Sequence, residues 1–136
     1  MKLPAGKYYI GDPCYVLASD DPDDKRWGNF CKELWKHGHS LEEFEDIPMF
    51  AAGTAYGDGS FEGSDGFWYG VDAGLIGIVP LSLCTDKKRL ARAKKSELGR
   101  FVTFKKDILI DYLDGIFWFG DITINTKSQY AEDYDR

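Results

Sequence analysis

The sequence predicts an α+β fold: a curved, mostly antiparallel sheet of about seven or eight strands, packed by an amino-terminal amphipathic helix, with a second, basic helix. Three observations carry this. Two segments have helical periodicity, and most of the remaining chain consists of short β-prone runs. Those runs are separated by glycine turns too short for the crossovers that parallel strands need. The 136 residues, 43% hydrophobic and 29% charged, suit a single domain over 1–136 whose core needs no disulfides. The pattern leaves barrel closure open.

Lys7-Tyr8-Tyr9-Ile10 is a strand that Gly11-Asp12-Pro13 ends, because proline has no N–H for a ladder, and the apolar run resumes over Cys14-Tyr15-Val16-Leu17. A helix start follows. Asp20 or Asp21 can cap it, Pro22 fits its first position, and Asp23 and Asp24 complement its dipole. Trp27, Phe30, Cys31, Leu34 and Trp35 then recur at i, i+3, i+4, i+7 and i+8 as one apolar stripe, and Gly38 stops the helix. Ser40-Leu41-Glu42-Glu43 has capping-box spacing and predicts a short helix ending near Glu45, before Pro48. From Met49 the texture changes to strands. Asp58-Gly59 marks a hairpin between Thr54-Ala55-Tyr56 and Ser60-Phe61-Glu62, and Gly63-Ser64-Asp65-Gly66 marks another turn. Phe67 to Asp72 and Leu75 to Leu81 read as strands, the second apolar on both faces and therefore central. Leu83 to Leu98 is the basic helix, capped by Thr85 or Asp86 and ended by Gly99. Arg100 to Lys106 alternates as a strand, and Asp114-Gly115 joins Ile108–Leu113 to Ile116–Thr126 as a hairpin. Residues 129–136 are polar and acidic and are expected to fray.

Charge is segregated. Nine basic side chains against Glu97 alone give +8 between 87 and 106, which leaves −14 for the rest of a chain whose net charge is −6. Such polarity steers partners of either sign, although a solvated helix face beside an acidic body is the more ordinary account of it. The amino terminus has no apolar h-region, and the stretch Ala73 to Cys84 is too short for a bilayer and contains Pro80. A cytoplasmic protein with no membrane partner is expected. Cys14, Cys31 and Cys84 form no CxxC pair, which suits reduced thiols.

Chemistry-bearing constellations are sparse. Cys14 with His37 or His39 has the residue types of a thiol–imidazole pair, but nothing in the spacing joins them, so no catalytic residue is assigned. His37-Gly38-His39 lies near Glu42, Glu43 and Glu45, yet an HxH pair in a loop is common, and no metal is expected. The glycine–acid stretch 58–66 lacks the carboxylate spacing of a calcium loop. No phosphate loop or dinucleotide fingerprint is present, and no cofactor is expected.

Aromatic residues make up 15% of the chain, and Phe67-Trp68-Tyr69 and Phe117-Trp118-Phe119 put rings on both faces of a strand. One face enters the core. The other meets a helix, a second sheet, a subunit or a ligand. The expected contacts for a partner are Trp68, Tyr69 and Trp118 with the basic set Lys87, Lys88, Arg89 and Arg92. A protein partner is the leading expectation. The basic segment 87–106 also suits a small phosphorylated ligand or nucleic acid, and a second aromatic face suits a homo-oligomer.

Gly6-Lys7-Tyr8-Tyr9-Ile10-Gly11-Asp12-Pro13-Cys14-Tyr15-Val16 resembles the opening of small uncharacterised bacterial and phage proteins with a Gly-Asp-Pro-Cys-Tyr signature. Tyr56-Gly57-Asp58-Gly59-Ser60-Phe61 and the run from Tyr69 to Pro80, with its Val71-Asp72-Ala73-Gly74 turn, resemble the middle of those proteins. The resemblance implies a bacterial or phage cytoplasmic protein and carries over no catalytic residue or cofactor. Asp12 and Asp72 are expected to bond loop amides beside them. Two readings follow: a non-catalytic binding module, an accessory or inhibitory protein engaging a macromolecular partner, or an enzyme or sequestering protein for a nucleotide-like ligand in a pocket of Asp12, Cys14, Asp72, His37 and His39.

Overall fold

Residues 1–127 are described by a computed structural model, which has an α+β fold of eleven strands and three α-helices. A five-stranded sheet has the order β3 (Ser40–Phe44), β4 (Ile47–Gly53), β7 (Leu75–Pro80), β2 (Gly6–Gly11), β8 (Arg100–Phe104). A four-stranded sheet has the order β1 (Lys2–Leu3), β9 (Ile108–Leu113), β10 (Ile116–Phe119), β11 (Ile122–Asn125). Strands β5 (Gly59–Glu62) and β6 (Trp68–Val71) form a separate hairpin. It joins β11 through the Gly63–Ile124 bridge and a 2.8 Å bond from the Ser64 amide to the Thr123 carbonyl. Every pairing is antiparallel, and the sheets are open.

Strand alternation sets the layers. On β2, β4 and β7, the side chains of Tyr8, Ile10, Phe50, Ala52, Ile76 and Ile78 enter one core with Phe61, Tyr69, Ile110, Phe117, Phe119 and Ile124 of the second sheet and its hairpin. The opposite residues, Tyr9, Met49, Ala51, Leu75 and Val79, enter another core with Phe30, Leu34, Leu83 and Ala93 from the helical side. The central strand β7 is covered on both faces, which is why its sequence is a continuous apolar run.

On the helical side lie α1 (Cys14–Leu17), α2 (Arg26–Lys36), a 3-10 turn over Leu81–Leu83, and α3 (Lys87–Ser96). Phe30 and Leu34 of the predicted stripe are buried, Trp27 stacks on Phe30 at 5.2 Å, and Trp35 stands 73% exposed. The Asp86 side chain caps α3 by accepting from the Arg89 amide at 3.0 Å. Arg26 pairs with Glu45 at 2.6 Å and lies over the Phe44 ring, tying the start of α2 to the β3–β4 turn.

The apolar run Cys14–Leu17 is a helical turn, because Pro13 takes the αR conformation and its carbonyl accepts from the Leu17 amide. Three local expectations are corrected. Helix α2 starts at Arg26, since Asp21 and Asp24 turn back on the amides of Asp23 and Arg26 and keep 20–25 out of the helix. Ser40–Phe44 is an edge strand, paired to β4 through a turn in which Glu45 and Asp46 both have positive φ. The Asp58-Gly59 hairpin does not form. Strand β5 pairs with β6 across the Gly63–Gly66 turn, so 54–58 is a loop. The strand count exceeds expectation, in part because Gly120 and Asp121 divide 116–126 into β10 and β11. The expectation for 129–136 lies outside the described residues.

Candidate functional site

The Gly11–Tyr15 and Val71–Gly74 segments meet in space at Asp12. Its side chain is 0% exposed and accepts three amide bonds. Oδ1 receives the Cys14 N–H at 2.9 Å, while Oδ2 receives those of Asp72 at 2.9 Å and Ala73 at 2.6 Å. The Tyr15 hydroxyl closes the arrangement by donating to Asp72 Oδ2 at 2.7 Å. Asp12 and Asp72 thus hold the amino-terminal turn against the β6–β7 connection. Burial pushes the Asp12 carboxyl above its ordinary range, and the amides of Cys14, Ala73 and Asp72 oppose that rise.

The same surroundings disarm Cys14. Burial and then the Asp12 charge push its thiol well above the ordinary range, so it stays protonated and is a poor nucleophile at neutral pH. Cys84 is pushed up to about 11 by burial. Of the five expected pocket residues, Asp12, Cys14 and Asp72 come together, whereas His37 and His39 stand exposed beyond the end of α2. His37 Nε2 lies 3.7 Å from Glu33, and His39 lies 5.7 Å from the Trp35 ring. Among the described residues, no group of three His, Cys, Asp or Glu side chains is placed to hold a metal ion.

The expected partner contacts also divide. Tyr69 is 0% exposed and packs in the core with its hydroxyl on Asp65 at 2.6 Å, so its ring offers no surface to a partner. Arg89 bonds the Cys14 carbonyl at 3.0 Å and lies 3.5 Å from Asp20, which commits it to joining α3 to α1. Arg92 also pairs with Asp20. Lys87 and Lys88 are exposed on α3.

Trp68 and Trp118 both point away from the core, Trp68 on the β5–β6 hairpin and Trp118 on β10. Because Phe61, Tyr69, Phe117, Phe119, Ile122 and Ile124 point into the core, the alternate side chains Trp68, Trp118 and Thr123 point away from it. Leu109, Asp111 and Leu113 do the same on β9. Leu109 is 67%, Leu113 66% and Trp68 56% exposed; half-buried Ile116 lies opposite Leu113, and half-buried Trp118 lies opposite Asp111, which stands between the two leucines on β9. Sequence reasoning missed the leucines, although Ile108-Leu109-Ile110 followed by Tyr112-Leu113 is apolar on both faces of a strand and signals a second apolar surface.

No family model, curated protein or solved structure matches this chain. Among the described residues, no helix is long and apolar enough to cross a membrane.

Asp65 anchors the hairpin that carries Trp68. It accepts from Tyr69 at 2.6 Å, from Arg100 at 2.7 Å and from the Phe67 amide at 3.3 Å. Burial raises its carboxyl, but these donors together hold it below its ordinary value of 3.8. A lowered folded value contributes stability that is complete above the unfolded value and is lost as pH falls through the folded one. Asp65→Asn is expected to cost about 1–2 kcal/mol at pH 7, a figure tempered by the partial exposure of Arg100. Its gap from the parent protein in urea denaturation should narrow below about pH 4. A gap that widens on acidification would contradict this role.

Proposed function

We propose that this chain is a non-catalytic binding module that engages a protein partner through the outer face of the β9–β10–β11 sheet and its attached hairpin. The observation that carries the reading is the exposure of Leu109 and Leu113 on the side of the sheet that carries Trp118, opposite its packed face, with Trp68 exposed on the attached hairpin. Isolated exposed leucines are ordinary, but Leu113 opposite Ile116, with Leu109 and Trp118 on the same side of the sheet, puts four apolar side chains on one rigid face. The face favours protein over nucleic acid because Lys2 is its one cation on the paired strands, too few to neutralise a run of phosphates. The basic segment is a weaker phosphate site than its +8 charge implies, since Arg89 and Arg92 are engaged by Asp20. Cys14, the strongest nucleophile candidate, is held as a thiol. With the resemblance of its signatures to small bacterial and phage proteins, this supports an accessory or inhibitory role inside a bacterial cell.

The test is photo-crosslinking from positions 109 and 113 in bacterial lysate, read by mass spectrometry. One defined protein adduct is expected, lost in Trp118→Ala and Trp68→Ala, retained in Lys87→Ala/Lys88→Ala, with the Tm of each variant close to that of the parent. Adducts that persist in both tryptophan variants, or disappear only with the lysines, would overturn the assignment. Light scattering provides the opposing outcome, because a stable dimer that covers the face would make the protein its own partner.

A further inference from the structure

The two large sheets end at four strands, and three of those ends are guarded. β3 carries a register shift between Leu41 and Glu43, with Glu42 and Glu43 exposed on it. β1 is two residues long and runs into Pro4. β11 is met by the hairpin turn through the Gly63–Ile124 bridge and the Ser64–Thr123 bond. β8 has none of these. It pairs with β2 along all five residues from Arg100 to Phe104, without a bulge or a proline. Among the described residues, no strand lies on its other side. In an antiparallel strand with one neighbour, alternate residues turn both N–H and C=O away from that neighbour. The β5–β6 hairpin approaches through the Gly70–Leu98 bond and the Arg100–Asp65 pair, and neither uses the backbone of β8. Both faces of the strand are apolar. Half-buried Phe101 packs toward the helical side, and half-buried Val102 and Phe104 pack toward the other core.

Unmade ladder bonds select an extended backbone, and charge selects its side chains. Lys105 and Lys106 follow the strand directly and are exposed, and the Lys94 Nζ lies 5.6 Å from the centre of the Phe101 ring. None of the three has an ion-pair partner among the described residues. Arg100 is answered by Asp65 at 2.7 Å. The carboxylates within 94–107 are Glu97 and Asp107, and Asp107 accepts from the Ala5 amide at 3.3 Å. A second copy fits this edge poorly. Antiparallel pairing of two β8 strands centred on Val102 sets Lys105 of one within a residue of Arg100 of the other, on strands about 4.8 Å apart. The cations that keep two copies from pairing favour a strand of opposite sign. We infer that β8 accepts an extended, acidic segment of a protein partner as an added strand of the five-stranded sheet, with its carboxylates against Lys94, Lys105 and Lys106. This edge belongs to a different sheet from the outer face of β9–β10–β11, so each surface can be tested without the other.

The experiment titrates the isotope-labelled full chain at low ionic strength with the capped peptide Glu-Val-Thr-Val-Glu, following backbone amide resonances and their hydrogen exchange. Alternate amides of β8 are expected to shift saturably and to exchange more slowly. The same peptide N-methylated at its three central residues loses donors on both edges and should bind at least about tenfold more weakly. Lys-Val-Thr-Val-Lys should do the same. The variant Lys105→Glu/Lys106→Glu, changed at exposed positions and with a Tm close to the parent, should weaken the acidic peptide at least about fivefold, with Trp118→Ala unchanged. Equal binding of the N-methylated peptide, or shifts at Lys105 and Lys106 without protection in β8, overturns strand addition. Equal binding of the lysine peptide overturns the choice of an acidic segment. An equal response to a short single-stranded oligonucleotide overturns the protein partner and makes the edge a phosphate site. Protection of β8 that rises with protein concentration alone would assign the edge to a second copy. No saturable shift in β8 also overturns the inference, and it leaves the sheet-face reading standing.

Discussion

Asp12→Ala is expected to lower stability by about 2–4 kcal/mol, since each buried amide stripped of its acceptor costs on the order of 1–3 kcal/mol. For a chain of this length that corresponds to a fall of roughly 6–15 °C in Tm. The estimate lies below the sum for three lost bonds because Asp72 and Ala73 are exposed residues whose amides water can reach, whereas the Cys14 amide lies in a partly buried turn. Asp12→Asn keeps one oxygen and removes the cost of a buried charge, but turns a donor toward amides that are donors themselves. It should fall between alanine and the parent protein. The parallel measurement is hydrogen exchange at Asp72 and Ala73, which should accelerate in Asp12→Ala while the amides of β10 keep their protection. A variant that melts with the parent, or loses protection first in β10, would show that the carboxylate does not hold the two segments together.

This also explains why the motif pair looked chemical in sequence and is structural in space. Gly-Asp-Pro-Cys-Tyr contains a carboxylate, a thiol and a phenol within a few residues, a set that can serve a reaction. In the fold, Asp12 spends both oxygens on amides, Cys14 is buried beside that charge, and Tyr15 spends its hydroxyl on Asp72. The expectation that Asp12 bonds nearby loop amides is met at Cys14, two residues away. Its bonds to Asp72 and Ala73 span sixty residues, and no local pattern announces them.

Legibility elsewhere followed the same division between local and non-local causes. The buried part of the α2 stripe, the Asp86 cap, the doubly covered β7 and the Asp114-Gly115 turn all depend on neighbours in sequence, and all were readable. Ser40–Phe44 was misread because its turn uses Glu45 and Asp46 at positive φ instead of glycine, leaving the capping-box spacing as the stronger local signal. The joining of the Trp68 hairpin to the sheet of Trp118 is beyond local reading, because it depends on the Gly63–Ile124 bridge between distant segments. Periodicity puts Trp35 on the apolar stripe, yet at the last turn of α2 its ring stands 73% exposed.

The second large effect is expected at Gly99, where the cost is steric and not conformational. The Tyr9 ring is 0% exposed, and its hydroxyl donates to the Asp12 carbonyl at 3.0 Å. A Cβ added at Gly99 would sit 2.5 Å from Tyr9 Cζ and closer still to Cε2 and the hydroxyl. The ring has little room to retreat, because the corresponding position at Gly11 lies 2.6 Å from the same hydroxyl. Gly99→Ala therefore forces either a backbone shift at the start of β8 or loss of the Tyr9–Asp12 bond, at about 1–3 kcal/mol for the overpacking alone. Tyr9→Leu removes the colliding atoms and, taken singly, leaves a cavity. Combined with Gly99→Ala, the added methyl occupies part of that space, so the two losses should not add, and the double variant should recover at least about 1 kcal/mol of their sum. Urea midpoints of the four proteins provide the measurement. Strict additivity, or a Gly99→Ala protein as stable as its parent, would mean that the Tyr9 ring is free to move, and that its hydroxyl does not help to fix the turn carrying Asp12.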